Sequence, residues 1–186
     1  SGDGFYKDGS FIQHDNIPYN CGYGRSLIQE LAPMLYTFKD TEFEIKNTDI
    51  INTWVEKSYL PFIYNGRTMD MVRGREISRY YEQSDFACSR ILSAMLILTE
   101  LSEFDILRSV IKTHLTDSFF EYASLFAVEL AEGLQEDDNI EPKEIKPYFM
   151  AFNSMDRAVK HVNGYTIGLA MHSERTAAFE SINDEN

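Results

Sequence analysis

The chain is short of positive charge. Lysine and arginine number 17 against 30 aspartates and glutamates, which leaves a formal net charge of −13. A nucleic-acid-binding surface carries a basic excess, so that class is disfavoured. Net acidity does not exclude an anionic ligand, because a cleft can be locally basic. Cysteine is scarce too: Cys21 and Cys88 stand alone, with no CxxC pair. Neither a zinc site nor a disulfide framework is supported, and both are expected as buried free thiols. No apolar run reaches the roughly 18 residues of a membrane span. There is no initiator methionine, no signal peptide and no internal repeat, and both ends read as cuts inside a longer polypeptide. What is present is globular: 44% hydrophobic and 25% charged residues, in a 186-residue chain that fits one large domain or parts of two.

Residues 1–25 are rich in Gly, Asp, Asn and Tyr, which is loop composition. Leu27, Ile28, Leu31, Leu35 and Phe38 then recur at helical spacing, and the pattern predicts a helix over 26–38 that Pro33 should kink or shorten. Further helices are expected over 47–59, 78–100, 103–113 and 117–135, with a loop over 62–75. After Pro142 and Pro147 the apolar runs become short and aromatic, so strands are expected near 148–152 and 165–171, with Asn163-Gly164 as a hairpin signal between them. The class is α+β, with helices to about 136 and the opening of a β domain after it.

Three stretches carry chemistry. The first, residues 8–25, places His14 in a polar loop and Tyr23 between Gly22 and Gly24. A histidine and a tyrosine in one glycine-rich loop can form an acid–base pair, or can simply be a His packed on Asp15 and a Tyr anchoring a turn. The second, residues 65–79, holds Arg67, Arg73, Arg75 and Arg79 in an otherwise acidic chain. Arginine forks match carboxylate and sulfate oxygens, and equally serve ordinary salt bridges to Asp70 and Glu76. The third, residues 175–186, is by itself a polar tail. His114 and His161 read as surface or helix-end residues, and His172 as a structural histidine in a strand. Trp54, Phe62 and Tyr64 are core residues or, less simply, a sugar-stacking platform.

Taken in order, DGSFIQH followed nine residues after its histidine by Tyr23, then MDMVRGREISR, NSMDR, NGY and ESINDEN resemble polysaccharide lyase family 8 across nearly the whole chain. The resemblance implies part of an α/α toroid over 1–140 and the start of an antiparallel β-sandwich over 141–186. It implies that His14 and Tyr23 are the catalytic histidine and tyrosine, and that Arg75 and Arg79 support the tyrosine and the sugar. It further implies that Glu180 and Asn183 are the acidic and amide residues which the β domain adds to the cleft. Family members also use an asparagine and an aromatic patch before the histidine, and no asparagine of this chain can be assigned that role. The partners implied are an anionic polysaccharide (hyaluronan, chondroitin or xanthan) and the remaining segments of the same polypeptide, outside the cell or at its surface. No metal or organic cofactor is required.

The residue types suit β-elimination, in which the C5 proton of a uronic acid is removed and the bond from C4 to the bridging oxygen breaks. A phenol of reference pKa about 10 is a poor base at neutral pH, but a guanidinium beside it favours phenolate. Arg75 can do this for Tyr23, and His14 either shares the base role or orients the sugar. A glycoside hydrolase on a similar toroid needs a carboxylate pair. Asp8, Asp15, Asp70 and Glu180 are available, yet none stands out as one. A non-catalytic glycan-binding segment is the third reading.

Overall fold

A computed structural model describes residues 2–180. Residues 2–22 hold a small antiparallel meander of β1 (Gly4–Phe5), β2 (Phe11–Gln13) and β3 (Ile17–Pro18), in the order β1-β2-β3. Strands of two and three residues are too short to show alternation, which is why the stretch reads as loop. Helix α1 (Tyr23–Phe38) follows and runs through Pro33 without being shortened. Helix α2 (Asp49–Trp54) continues into a π turn over Val55–Tyr59 and a 3₁₀ turn at Leu60–Phe62, where Pro61 ends the helical run.

The stretch expected as loop contains a hairpin, β4 (Ile63–Tyr64) and β5 (Arg67–Thr68). Its two-residue turn places Asn65 at φ 48° and Gly66 at φ 71°, the left-handed pair that the twist of a tight hairpin demands. Residues 70–78 then form short 3₁₀ turns, and helix α3 starts only at Ser84, running to Leu98. The helix expected from residue 78 is held off by side chains. Arg73 donates to the Glu82 carbonyl, Arg79 Nη1 to Glu82 at 2.6 Å and Gln83 Nε2 to the Arg79 carbonyl at 2.6 Å.

Helix α3 is the axis of the core. From Ala87 to Leu98 nearly every side chain is buried, including Cys88, Ile91, Leu92, Met95 and Leu98. A helix apolar all round belongs in the interior. It packs on α1 and on three shorter helices, α4 (Leu107–His114), α5 (Asp117–Tyr122) and α6 (Leu125–Glu136). The single helix expected over 117–135 is broken at Ala123-Ser124, and the Ser124 hydroxyl caps α6 by accepting the Ala127 N–H at 3.3 Å. Both cysteines are buried free thiols, as expected.

The last sheet is antiparallel, β6 (Tyr148–Phe152), β7 (Arg157–Val162) and β8 (Tyr165–Ala170), in that order. Asn163-Gly164 makes a hairpin, but between β7 and β8. β7 was not expected, because Arg157, Lys160 and His161 interrupt its apolar run. The inner face carries Phe152, Val159 and His161 toward the helices, and Phe62 packs on Phe152 with ring centroids 4.6 Å apart. Helices to residue 136 followed by antiparallel sheet is the α+β class expected. His114 and His161 are buried where helices meet sheet, not at the surface, while His172 is exposed just beyond β8. Trp54 stacks on Phe5 at 4.3 Å and Phe62 is fully buried, so Trp54, Phe62 and Tyr64 form no exposed platform.

Candidate active site

The turn between β2 and β3 holds His14 at φ 54° and Asp15 at φ 70°. Left-handed backbone costs a non-glycine residue about 1–2 kcal/mol, and here other contacts fix it. Asp3 accepts from Gln13 Nε2 at 2.7 Å and from the Asp15 N–H at 2.9 Å. The Ala177 N–H donates to the Asn16 carbonyl at 3.0 Å, which docks the returning C-terminal stretch on the same turn.

That return begins at Arg157 in the NSMDR stretch. Its buried guanidinium donates from Nε to the Met71 carbonyl at 2.9 Å and from Nη1 to the Met171 carbonyl at 2.5 Å. One side chain thus ties β7 to the 3₁₀ turns of the arginine-rich stretch and to the segment leaving β8. Asp156 then accepts from Ser173 at 2.5 Å and Arg175 at 2.7 Å. The polar stretch 171–180 is therefore turned back over the helical layer and delivers Glu180.

Glu180 is the centre of the cluster, with its side chain 4% exposed. Oε1 meets His14 Nδ1 at 2.5 Å and accepts from Arg75 Nη1 at 3.4 Å. Oε2 accepts from the Tyr19 hydroxyl and from the Arg75 backbone N–H, the latter at 3.1 Å. Arg75 Nη2 reaches the Tyr23 hydroxyl at 3.5 Å. The rings of His14 and Tyr23 meet edge to face, centroids 5.0 Å apart. Burial pushes the Glu180 carboxyl up, but hydrogen bonds from Tyr19, His14 and the Arg75 amide outweigh it, and the group lies below its ordinary range.

Five side chains from three distant stretches thus converge: His14, Tyr19, Tyr23, Arg75 and Glu180. Arg79 pairs with Glu82 and lines the same cleft of about 320 Å³, together with Tyr23, Arg75 and Gln29. Asn183 lies outside the described residues. Tyr19 was not singled out in the sequence, although it lies between His14 and Tyr23 in the same motif. Gly22, which precedes Tyr23, is shaped by a different tyrosine. A Cβ on Gly22 would lie 2.4 Å from the Tyr19 ring, so that glycine makes room for Tyr19 rather than for an outside molecule.

A larger cavity of about 670 Å³ lies elsewhere, between α4, the 143–147 connection and β6, and is mostly apolar. It contains none of the converging residues, whereas Tyr19, Tyr23 and Arg75 line the smaller, polar cleft. Among the described residues no three His, Cys, Asp or Glu side chains gather to hold a metal ion. No described helix is long and apolar enough to cross a membrane.

Comparison with known proteins agrees with this layout. The model of the polysaccharide lyase family 8 N-terminal alpha-helical domain matches residues 1–113, and that of the family's super-sandwich domain matches residues 147–186. A xanthan lyase of Bacillus sp. (strain GL1) is 34% identical over 194 residues, covering 100% of this chain and 21% of its own length. A hyaluronate lyase of Staphylococcus aureus is 31% identical over 195 residues, covering 98% and 24%. The chain therefore spans about a fifth to a quarter of the length of these relatives. Among solved structures, a Paenibacillus xanthan lyase superimposes with a TM-score of 0.92 at 34% identity, over 98% of this chain and 18% of that one. A Streptomyces coelicolor A3 chondroitin AC lyase follows with a TM-score of 0.82 at 29% identity, over 98% and 27%.

Proposed function

The chain belongs to polysaccharide lyase family 8, and from that premise we propose that it carries the acid–base half of a β-elimination site acting on a uronic-acid polysaccharide such as hyaluronan, chondroitin or xanthan. The observation that carries this reading is that His14 and Arg75 meet on the Glu180 carboxylate while the same Arg75 guanidinium reaches the Tyr23 hydroxyl. Tyr23 takes the C5 proton of the uronic acid, the C4–C5 double bond forms as the bond from C4 to the bridging oxygen breaks, and the proton passes to that oxygen. The Arg75 guanidinium, 3.5 Å from the Tyr23 hydroxyl, holds that oxygen in place for the transfer. His14, with Nδ1 held on Glu180, orients the sugar, and the Arg75 and Arg79 guanidinium groups offer hydrogen-bond donors to a substrate carboxylate or sulfate.

Of the four carboxylates that the sequence offers a hydrolase, three are engaged elsewhere, Glu180 by His14, Tyr19 and Arg75. Asp8 is committed to the Ser10 and Ser154 backbone N–H groups, and Asp70 to Arg73. Residues 1–140 are assigned to the toroid and 141–186 to the sandwich. The remaining segments of a longer polypeptide supply the asparagine and the aromatic patch, and Asn183 contributes to the cleft from the sandwich side. The polypeptide works outside the cell or at its surface, where such polymers are found.

The test is made on the full-length polypeptide with the three polymers, following the ultraviolet absorbance of unsaturated uronate and, separately, polymer binding. Tyr23→Phe is expected to lower turnover by at least about 10²-fold with binding retained. Near-wild-type turnover would leave His14 as the base. Cleavage without unsaturated product would mark a hydrolase, and binding without cleavage a glycan-binding module.

A further inference from the structure

Tyr19 takes no part in the proton transfers above, yet its hydroxyl lies beside the carboxylate that organises them. The residue is fully buried. Its hydroxyl donates to Glu180 Oε2 and accepts the Arg75 backbone N–H at 3.1 Å, and the same N–H lies 3.1 Å from Oε2. Phenol, amide and carboxylate thus lock one another. The two oxygens of Glu180 divide the work: Oε1 faces His14 and the Arg75 guanidinium, while Oε2 is held by Tyr19 and the backbone.

The surroundings are shaped to hold this ring. A Cβ on Gly74 would lie 2.1 Å from Tyr19 Cζ, and one on Gly22 2.4 Å from Cδ1. The ring meets Tyr23 edge to face at 4.8 Å and His14 at 5.9 Å. Phenylalanine would fill the same space and keep these contacts, so packing does not account for the hydroxyl.

We propose that Tyr19 is a positioning residue of the elimination reaction, whose hydroxyl fixes the Glu180 carboxylate so that Glu180 in turn holds His14 and Arg75 in register with Tyr23. The assignment rests on the lyase reading for its catalytic consequence and on geometry alone for its structural one. Burial, and then the hydrogen bond to Glu180, push the Tyr19 phenol above its ordinary range, so it stays protonated and donates. Of the contacts that hold Glu180 ionised against its burial, the hydrogen bond from Tyr19 comes first.

The decisive variant is Tyr19→Phe in the full-length polypeptide, with Tyr19→Leu as the packing control. Hydrogen bonds to charged groups are worth enough that kcat should fall roughly tenfold to hundredfold in Tyr19→Phe. KM should stay within about twofold, because the polymer contacts are untouched. Among the described residues, Tyr19, His14 and Arg75 face Glu180. Loss of the Tyr19 donor should raise the carboxyl's pKa and move the acid limb of kcat to higher pH. Carbon NMR titration of Glu180, assigned by its absence in Glu180→Gln, should show the same upward movement without any turnover. Tyr19→Leu, which also loses the ring packing, should lose more thermal stability than Tyr19→Phe, which loses only the hydrogen bond. Unchanged kcat with unchanged Glu180 titration overturns the proposal, as does a fall in kcat that follows melting temperature while Glu180 titrates as in wild type. If the wild-type polypeptide yields no unsaturated product, the lyase reading fails, and the Glu180 titration alone decides whether Tyr19 holds the carboxylate.

Discussion

Gly74 satisfies two constraints that can be separated by experiment. Its φ of 53° is left-handed, and an added Cβ would meet the Tyr19 ring at 2.1 Å. Gly164, in the β7–β8 turn, has φ 90° and nothing within 4 Å of such a Cβ. Gly164→Ala should therefore show backbone strain only, about 1 kcal/mol, with turnover of the full-length polypeptide unchanged. Gly74→Ala adds displacement of a buried ring and should cost about 2–4 kcal/mol, with a fall in turnover as the Tyr19 hydroxyl leaves Glu180. Denaturation midpoints and product formation on both variants measure the difference. At this scale His14, Tyr23 and Arg75 were singled out by the family resemblance, composition and spacing alone leaving them open, and the structure brings them together. Tyr19 was unreadable because a tyrosine in a Gly- and Asn-rich loop looks like any turn anchor. Only the fold shows that two glycines seat its ring and that a carboxylate 161 residues away meets its hydroxyl.

Among elements, the junction between β7 and the arginine-rich turns depends on Arg157. Its Nε and Nη1 donate to the carbonyls of Met71, Met155, Asp156 and Met171, at 2.5 to 3.2 Å. A lysine keeps the charge but offers a single point in place of a planar fork. Arg157→Lys should leave buried carbonyls without donors and cost about 3 kcal/mol, seen as a lower urea midpoint with an unchanged slope. Because Met171 opens the stretch that carries Glu180, turnover of the full-length polypeptide should fall with it. Helices with long apolar periods, α1 above all, were legible in the sequence. The elements that were missed depend on partners distant in sequence. β7 is recognisable only from its pairing on both sides, and α3 starts late because Arg73, Arg79 and Gln83 hold residues 79–83 out of the helix. The α5–α6 break is a local signal, the cap Ser124, set within an apolar period that continues on both sides of it.

Over the whole molecule, helical layer and sheet meet around two buried histidines, and this makes their union sensitive to acid. His114 ends α4 with Nδ1 buried and unpartnered, and burial, then the nearby charge of His161, depress its pKa from 6.5 to about 4. His161 stacks on Tyr148 at 4.4 Å and donates from Nε2 to the Pro61 carbonyl at 2.8 Å, and burial lowers it as well. Between the folded and unfolded pKa values the unfolded chain binds more protons, so stability rises with pH across that interval. The His114 contribution is complete above pH 6.5 and is lost as pH falls from 6.5 toward 4. Its full size is about 3 kcal/mol. Glu180, held below its ordinary range, loses stability in the same direction as acid protonates it, whereas Glu76, raised by burial against the partial offset of Arg25, works the other way. Comparing a variant with the wild type cancels those two. His114→Leu removes the titrating ring and leaves an apolar side chain in the same place. Its unfolding free energy, measured by urea denaturation from pH 7.5 to 4.5, should fall less steeply with acidification than that of the wild type. Parallel curves would mean that His114 is accessible to protons in the folded state, and the acid sensitivity would then come from the other depressed groups, among them His161, Glu180, Asp8 and Asp156.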